Sequence, residues 1–392
     1  MYKAIFAAFC ILVPFLLNAQ NGITVVLNKI ERNNMQIKAF KSFMKSTKLE
    51  LESGNNLPDP QAGAYYMPWG KHNTDDYFEF QITQSMEFPL VYSERSKLTE
   101  KRMEVLEYEF ASLRQQTLLN AKKKLLELIY LNKLLIIEKE RIDRENKVFE
   151  QKKTSYENEK AGILKVHKAK ISLMQAEFKL EELKNRRDNL LVELQNLNGG
   201  EEIEFELNQF PGGLELSPID SMLQEKQKND PEITVLEHEQ KLAKQQVGLA
   251  KALSYPDLTA GFNYQGVPSS SYYGIYGGIS IPLWSNRRKT DAAQAGLELS
   301  NVRSSARTLE IFSDFRQQYN DYQMLLKKYN EFKNTLTELK SDTLLYEAYE
   351  LGKISFIEYY MELQFYREAY NSMLEVEFQL NKAKAEILKH YL

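Results

Sequence analysis

The chain has 392 residues, of which 27% are charged, and 51 basic against 54 acidic side chains leave a net charge of -3. That balance excludes an extended nucleic-acid surface, which needs a clear basic excess. With only 17 Gly and 11 Pro in a chain rich in Leu, Glu, Lys and Gln, long helices are favoured over compact mixed domains. His72, His167, His238 and His390 are scattered and no Gly-rich phosphate loop or zinc spacing occurs, so the residues point to no enzyme, cofactor or metal.

At the N-terminus, Lys3 precedes an apolar run from Ala4 to Leu17 and then Asn18-Ala19-Gln20. This reads as a secretory signal over residues 1–19, cleaved near Ala19. The single Cys10 lies inside the apolar run, too early for lipid attachment at a cleavage site, so neither a lipid anchor nor a disulfide is expected. No later window offers the roughly eighteen apolar residues of a membrane helix. The richest, Leu125 to Ile137, is interrupted by Glu127, Asn132 and Lys133.

From Ile23 to Ser53 the apolar spacing Val26, Ile30, Ile37, Phe40, Met44 predicts one helix, ended by Gly54-Asn55-Asn56. The period then changes to two, predicting strands at about 58–68 and 77–89. Phe78, Phe80, Ile82, Gln84, Met86 and Phe88 fall on one face, and Tyr77, Glu79, Gln81, Thr83, Ser85 and Glu87 on the other. A helical pattern follows from near Ser93 to Glu159, about 100 Å at ~1.5 Å per residue. After Gly162 another helix runs to Asn198, stopped by Gly199-Gly200. A short acidic alternating piece, with Ile203, Phe205 and Leu207 against Glu202, Glu204 and Glu206, leads through Pro211-Gly212-Gly213 to Ser217-Pro218 and a further helix that ends before Pro256.

Then the order begins again. Pro58-Asp59-Pro60-Gln61-Ala62-Gly63-Ala64-Tyr65-Tyr66 returns as Pro256-Asp257-Leu258-Thr259-Ala260-Gly261-Phe262-Asn263-Tyr264, and Phe88-Pro89-Leu90 as Ile281-Pro282-Leu283. Strands are expected at about 257–266 and 272–283, then a helix from Asn286 to Leu351, a turn at Gly352 and a last helix. Tyr156-Glu157 stands before Gly162 as Tyr346-Glu347 stands before Gly352. The chain therefore reads as two structural repeats, 20–199 and 218–392, joined by a linker at 200–217.

Strands of about ten residues with an apolar outer face, a polar inner face and aromatic ends match a transmembrane barrel wall. Phe78, Phe80, Ile82, Phe262, Ile279 and Ile281 would face lipid, and Tyr65, Tyr66, Trp69, Tyr77, Tyr272, Tyr273 and Trp284 would sit near the membrane-water boundaries. Four strands leave two open edges, which hydrocarbon does not tolerate, so at least two chains must close the sheet. The alternative is a soluble periplasmic coiled-coil adaptor or scaffold whose hairpins pack on a core and never enter the bilayer.

In its duplicated strand pairs, Pro-Leu stops, paired glycine turns and export signal, the chain resembles the TolC-type outer-membrane efflux proteins over essentially everything after the signal. The resemblance implies a mainly α fold with a small membrane β part: very long antiparallel helices forming a periplasmic tunnel wall, and four transmembrane strands per chain completing a 12-stranded barrel in a homotrimer. It implies a passive outer-membrane duct of a Gram-negative tripartite efflux system, docking to a periplasmic adaptor and an RND-type inner-membrane pump. By position the docking tips are Gly162-Ile163-Leu164 and Gly352-Lys353-Ile354. Lys160, Lys165, Lys168 and Lys170 lie near the first tip and read as a solvated face that could assist docking. The periplasmic gate acid is Glu358, and the second acidic position of the family is Met361 here. Leu57-Pro58-Asp59-Pro60 looks more like the branch serving heavy-metal cation pumps, although the eleven Met form no soft-metal cluster.

Overall fold

The computed structural model describes residues 22–68, 75–160, 162–284, 286–339 and 341–392. The predicted signal, Cys10, Trp69 and His72 lie outside the described residues. In chain order the elements are helix α1 (22–33), α2 (Met35–Ser53), β1 (Gln61–Met67), β2 (Tyr77–Met86), α3 (Pro89–Glu157), α4 (Ile163–Leu197), α5 (Ile219–Asn229), α6 (Pro231–Ala252), β3 (Asp257–Val267), β4 (Ser270–Ser280), α7 (Lys289–Leu339), α8 (Ser341–Glu350) and α9 (Phe356–Ile387), with a closing 3-10 turn at Lys389–Tyr391. Two compact units divide the chain. One comprises the residues up to Lys38 with Leu113–Asp230 and Phe312–Leu392; the other comprises Ala39–Ser112 and Pro231–Ile311. Each draws on both sequence repeats, so the repeats at 20–199 and 218–392 and the compact units are different divisions of the chain.

The second unit holds the sheet. All four strands pair antiparallel in the order β1-β2-β3-β4, so the two predicted hairpins join through β2 and β3, and β1 and β4 are the edges. β3 fills its predicted span, whereas β1 starts three residues late, β2 stops three residues early, and β4 is shifted to begin two residues and end three residues earlier than expected. Pro89 opens α3 at the first helical position, where its missing N–H is not needed, and Val91 N–H donates to the Phe88 carbonyl at 2.8 Å. The Pro-Leu stop after β2 is thus the start of a helix.

In the first unit the segment that looked most like a membrane span is the core. Leu125, Leu128, Ile129 and Leu131 are fully buried, and Leu118, Leu119, Leu126 and Tyr130 nearly so. They pack with Leu190 and Leu194 of α4, Phe378 of α9, and Ile203, Phe205 and Phe210 of the linker. Apolar side chains all round a helix mean that it is wrapped on every side, here by protein. The linker keeps the predicted alternation, with Ile203 and Phe205 buried and Glu202, Glu204 and Glu206 exposed, yet it runs as extended chain and not as a strand. Its backbone is held instead by side chains: Asn132 Nδ2 donates to the Leu207 carbonyl at 2.9 Å, and Lys384 donates to the Gly213 carbonyl.

Two expected helices are interrupted. The first breaks at Asn34, whose Oδ1 accepts from the N–H groups of Gln36 and Ile37 and so caps α2, while its Nδ2 donates to the Leu197 carbonyl at the end of α4. The helix before Pro256 is two helices, because Pro231 has no N–H to give and starts α6 afresh after Asp230. The long helix of the second repeat is described as α7 and α8.

Tyr322 of α7 is fully buried against Phe315, Leu380 and Ile387, and its hydroxyl meets no partner among the described residues. Burial pushes its pKa up to about 12. An acid whose folded pKa lies above the unfolded one costs stability as pH rises from the unfolded value of about 10 toward the folded one. Tyr322→Phe removes an unpaired buried hydroxyl and is expected to raise stability by about 1 kcal/mol. It should also flatten the alkaline fall in melting temperature, measured by thermal unfolding between neutral and strongly alkaline pH.

Candidate functional site

The register of the sheet puts the alternating residues of all four strands on two faces. Phe80 stands opposite Ala64 and Tyr264, and Tyr264 opposite Tyr273. Ile82 stands opposite Ala62 and Phe262, and Phe262 opposite Ile275; Met86 is opposite Leu258, and Leu258 opposite Ile279. One face is therefore continuous in Phe78, Phe80, Ile82, Phe262, Tyr264, Tyr273, Ile275 and Ile279, and most of it is open, with Ile275 94% and Ile279 65% exposed. Ile281 continues the same parity one residue beyond β4 and is 66% exposed. The opposite face carries polar cross-strand pairs: Asn263 Nδ2 donates to Glu79 at 3.0 Å, Ser85 and Thr259 hydroxyls lie 3.1 Å apart, and Tyr77 donates to Gln265 at 3.0 Å. A soluble sheet hides its apolar face, whereas this one hides neither.

Aromatic side chains gather at both ends of the strands. Tyr65, Tyr66, Tyr77, Tyr272 and Tyr273 lie toward the hairpin turns. At the other end Phe88 stacks on Tyr255 at 4.9 Å, and Trp284 is 79% exposed.

The two tip turns share one geometry, in a register three residues away from the one their glycines suggest. After α8, Gly352 takes the left-handed conformation (φ 66°), its N–H donates to the Tyr349 carbonyl and the Lys353 N–H to the Ala348 carbonyl, which closes the helix; Ser355 then caps α9. After α3 the same bonds are made by Glu159 (φ 60°) to Tyr156 and by Lys160 to Ser155, and the cap of α4 is Gly162, with φ -76°. Gly352 thus corresponds to Glu159, and Gly162 to Ser355. The predicted equivalence of Gly162 with Gly352 is corrected accordingly: the left-handed position is Glu159 at the first turn and Gly352 at the second, and the conformation of Gly162 does not call for glycine. Ile163 and Leu164 open α4, with Leu164 72% exposed; Lys353 is exposed and Ile354 half-buried. Lys160, Lys165, Lys168 and Lys170 are exposed.

Glu358 sits at the third position of α9 in a reciprocal capping box. It accepts the Ser355 N–H at 2.7 Å while its own N–H donates to the Ser355 hydroxyl at 3.2 Å. The Ser355 backbone N–H, followed by the Ser355 hydroxyl, holds its carboxyl below the usual carboxylate range. Of its apolar and aromatic neighbours, Phe356 and Tyr359 are buried, and Tyr349 stacks on Tyr359 at 4.9 Å, whereas Ile357 and Phe365 are exposed. Met361, at the family's second acidic position, is 67% exposed.

Behind this turn lies a charged cluster that the motif reading missed. Glu145 of α3 is 2% exposed; it accepts from Arg367 of α9 at 3.0 Å and from the Tyr360 hydroxyl. One turn earlier Arg141 donates to Glu138 at 2.9 Å, and burial raises the Glu138 carboxyl's pKa. The signal was present in the spacing: Glu138 lies two turns after Leu131, and Arg141, Glu145 and Val148 follow it at three- and four-residue steps along the same stripe of α3, where charged residues need partners. Among the described residues no three His, Cys, Asp or Glu are grouped to hold a metal ion, and no helix is long and apolar enough to cross a membrane.

Residues 222–350 match the sequence family described as outer membrane efflux protein. A search of curated protein sequences gives no significant match. Solved structures match over the whole fold. The structure of CusC, described in terms of folding and transmembrane channel formation, gives a TM-score of 0.78 at 14% identity, covering 94% of this chain and 92% of that chain. The CmeC outer membrane channel of Campylobacter jejuni gives 0.75 at 15%, covering 94% and 85%. The outer membrane protein VceC of Vibrio cholerae gives 0.72 at 15%, covering 94% and 95%. The fold is that of the outer-membrane efflux channels. The family match spans residues 222–350, and it is over that part that the chain is similar in sequence to the outer membrane efflux proteins.

The tip geometry is directly testable. A non-glycine residue in the left-handed region costs about 1 kcal/mol, and the space around the Gly352 Cα is open, so only the backbone matters there. Gly352→Ala is expected to lower stability by about 1 kcal/mol and Glu159→Gly to raise it by a similar or smaller amount. Denaturant unfolding of the two variants checks both signs.

Proposed function

We propose that this protein is the outer-membrane exit duct of a tripartite efflux system. The observation that carries the reading is the four-stranded sheet, apolar and exposed on one face, polar on the other, and open at both edges. In hydrocarbon each unpaired backbone group costs several kcal/mol. The β1 edge of one copy must therefore meet the β4 edge of the next until the wall closes, with three copies giving twelve strands. The aromatic ends fit this placement. From Tyr255 to Tyr264 is about nine residues, or ~30 Å of strand, which at a tilt of 35–45° spans roughly the 25 Å apolar band of such barrels. Phe78, Phe80, Ile82, Phe262, Ile279 and Ile281 are then the lipid face, and the long helices the periplasmic wall of the duct.

The tip turn Gly162-Ile163-Leu164 carries exposed apolar side chains and Gly352-Lys353-Ile354 an exposed basic one, and both are the surfaces offered to a periplasmic adaptor coupled to an RND-type inner-membrane pump. Energy comes from the pump, since the chain carries no nucleotide motif. Leu57-Pro58-Asp59-Pro60 forms exposed extended chain ahead of β1, with the Pro58 carbonyl accepting from Gln84 at 2.7 Å. It offers no ligand set, so a heavy-metal cargo would be chosen by the pump.

Two experiments test the reading. Phe80→Lys and Phe262→Lys each place a charge on the lipid face, at about 2–4 kcal/mol if near the midplane. They are expected to abolish recovery of the protein from outer-membrane fractions, whereas a soluble periplasmic adaptor would tolerate both and remain in the soluble fraction. For the gate, Glu358→Gln keeps an acceptor for the Ser355 N–H but removes the charge. A small loss of thermal stability, from the lost carboxylate bond, with altered single-channel conductance is expected; unchanged conductance would confine Glu358 to capping.

A further inference from the structure

We propose that the cavity bounded by α3, α4 and α9 beneath the second tip binds a small oxyanion, a class that includes carboxylate, sulfate and phosphate. The cavity has a volume of about 490 Å³ and is lined by Arg141 of α3, by Lys168, Ser172 and Gln175 of α4, and by Gln364 and Arg367 of α9. Three cationic side chains face it against one carboxylate, Glu368, which accepts from Gln364 at 3.2 Å. A second cavity of about 260 Å³ shares Arg141, Arg367 and Asn371 and adds Arg144 with Glu138 and Glu140, so the two guanidinium groups form part of both walls.

The case rests on donors, not on net charge alone. Arg141 gives Nη1 to Glu138 and Arg367 gives Nη1 to Glu145, so each carboxylate behind the cavity is engaged. Nε of Arg141 and Nη2 of Arg367 are buried and have no acceptor among the described residues, so an anion in the cavity reaches them only when these side chains turn toward it. Glu145 does not satisfy Arg141 Nε, since the separation is 4.0 Å. An unpaired donor on a buried cation is costly, and an oxyanion supplies several acceptors of opposite charge in one small group. Ser172, Gln175 and Gln364 add neutral donors on the same wall. Because the lining comes from three helices, a bound oxyanion ties the start of α9 to α3 and α4.

This inference does not depend on the channel reading and is tested separately from it. The mature full-length protein in detergent micelles is titrated with sodium sulfate by calorimetry, with ionic strength held constant and sodium chloride as the matched control. Saturable binding of one sulfate per chain and a rise in melting temperature beyond that in chloride are expected. Lys168 is exposed, so Lys168→Gln should leave the sulfate-free melting temperature unchanged and weaken binding about tenfold, the loss of one charge-assisted hydrogen bond. Arg141→Gln should abolish binding; if it unfolds the protein, Lys168→Gln decides. No saturable sulfate binding, equal affinity in Lys168→Gln and wild type, or an identical response to chloride would overturn the proposal.

Discussion

A four-stranded sheet cannot satisfy its own backbone. The outer edges of β1 and β4 expose rows of N–H and C=O groups, and water can serve them only if the sheet stays in water. Its apolar face argues that it does not: Phe78, Ile82, Phe262, Ile275 and Ile279 are aligned across strands and exposed in the single chain. One face asks for lipid and the edges ask for protein. Closure by further copies of the same chain answers both at once, and the polar pairs of Glu79 with Asn263 and Ser85 with Thr259 then line the interior.

The helical unit faces a different constraint. Its long helices must pack along their length while keeping most residues in water, and they do so with short apolar stripes interrupted by charge. Where α3 is wrapped on all sides, as at Leu125 to Leu131, the side chains are almost purely apolar. Further along, the buried positions pass to Glu138, Arg141 and Glu145, which hold α9 through Arg367 and Tyr360. A joint of charged hydrogen bonds is directional and is lost as a unit, unlike an apolar seam that can slide. The tip of α9 is thereby fixed by pairing and capping, and the middle of the unit by packing.

Much of this was legible in the sequence. The period-two stretches gave the strand faces, because a strand that is apolar on one side leaves its alternation in the residues themselves. The repeated Pro-Asp openings gave the two hairpins, and the alternation at Ile203 and Phe205 gave a buried linker, although pairing was absent. The breaks at Asn34 and Pro231 were less visible: Asn34 ends α1 by bonding Leu197 far along the chain, and Pro231 was overlooked within a long charged stretch. The tips misled for a physical reason. The left-handed position of the first turn is occupied by Glu159, so matching glycine to glycine aligned Gly162 with the wrong residue. The lesson for Glu358 is similar, since Ser-x-x-Glu is a capping box whether or not the same carboxylate also faces a pore.

The claim on which the account stands is that β1 of one copy pairs with β4 of another. The predicted mature chain has no cysteine, so engineered pairs report without background: Ala64→Cys combined in turn with Tyr273→Cys, Ile275→Cys and Gly277→Cys, oxidised in outer membranes and resolved by mass. The account predicts that one combination yields a covalent ladder ending in a closed oligomer of three chains. No cross-link in any combination, with the purified chain monomeric in surfactant-free buffer, would contradict it.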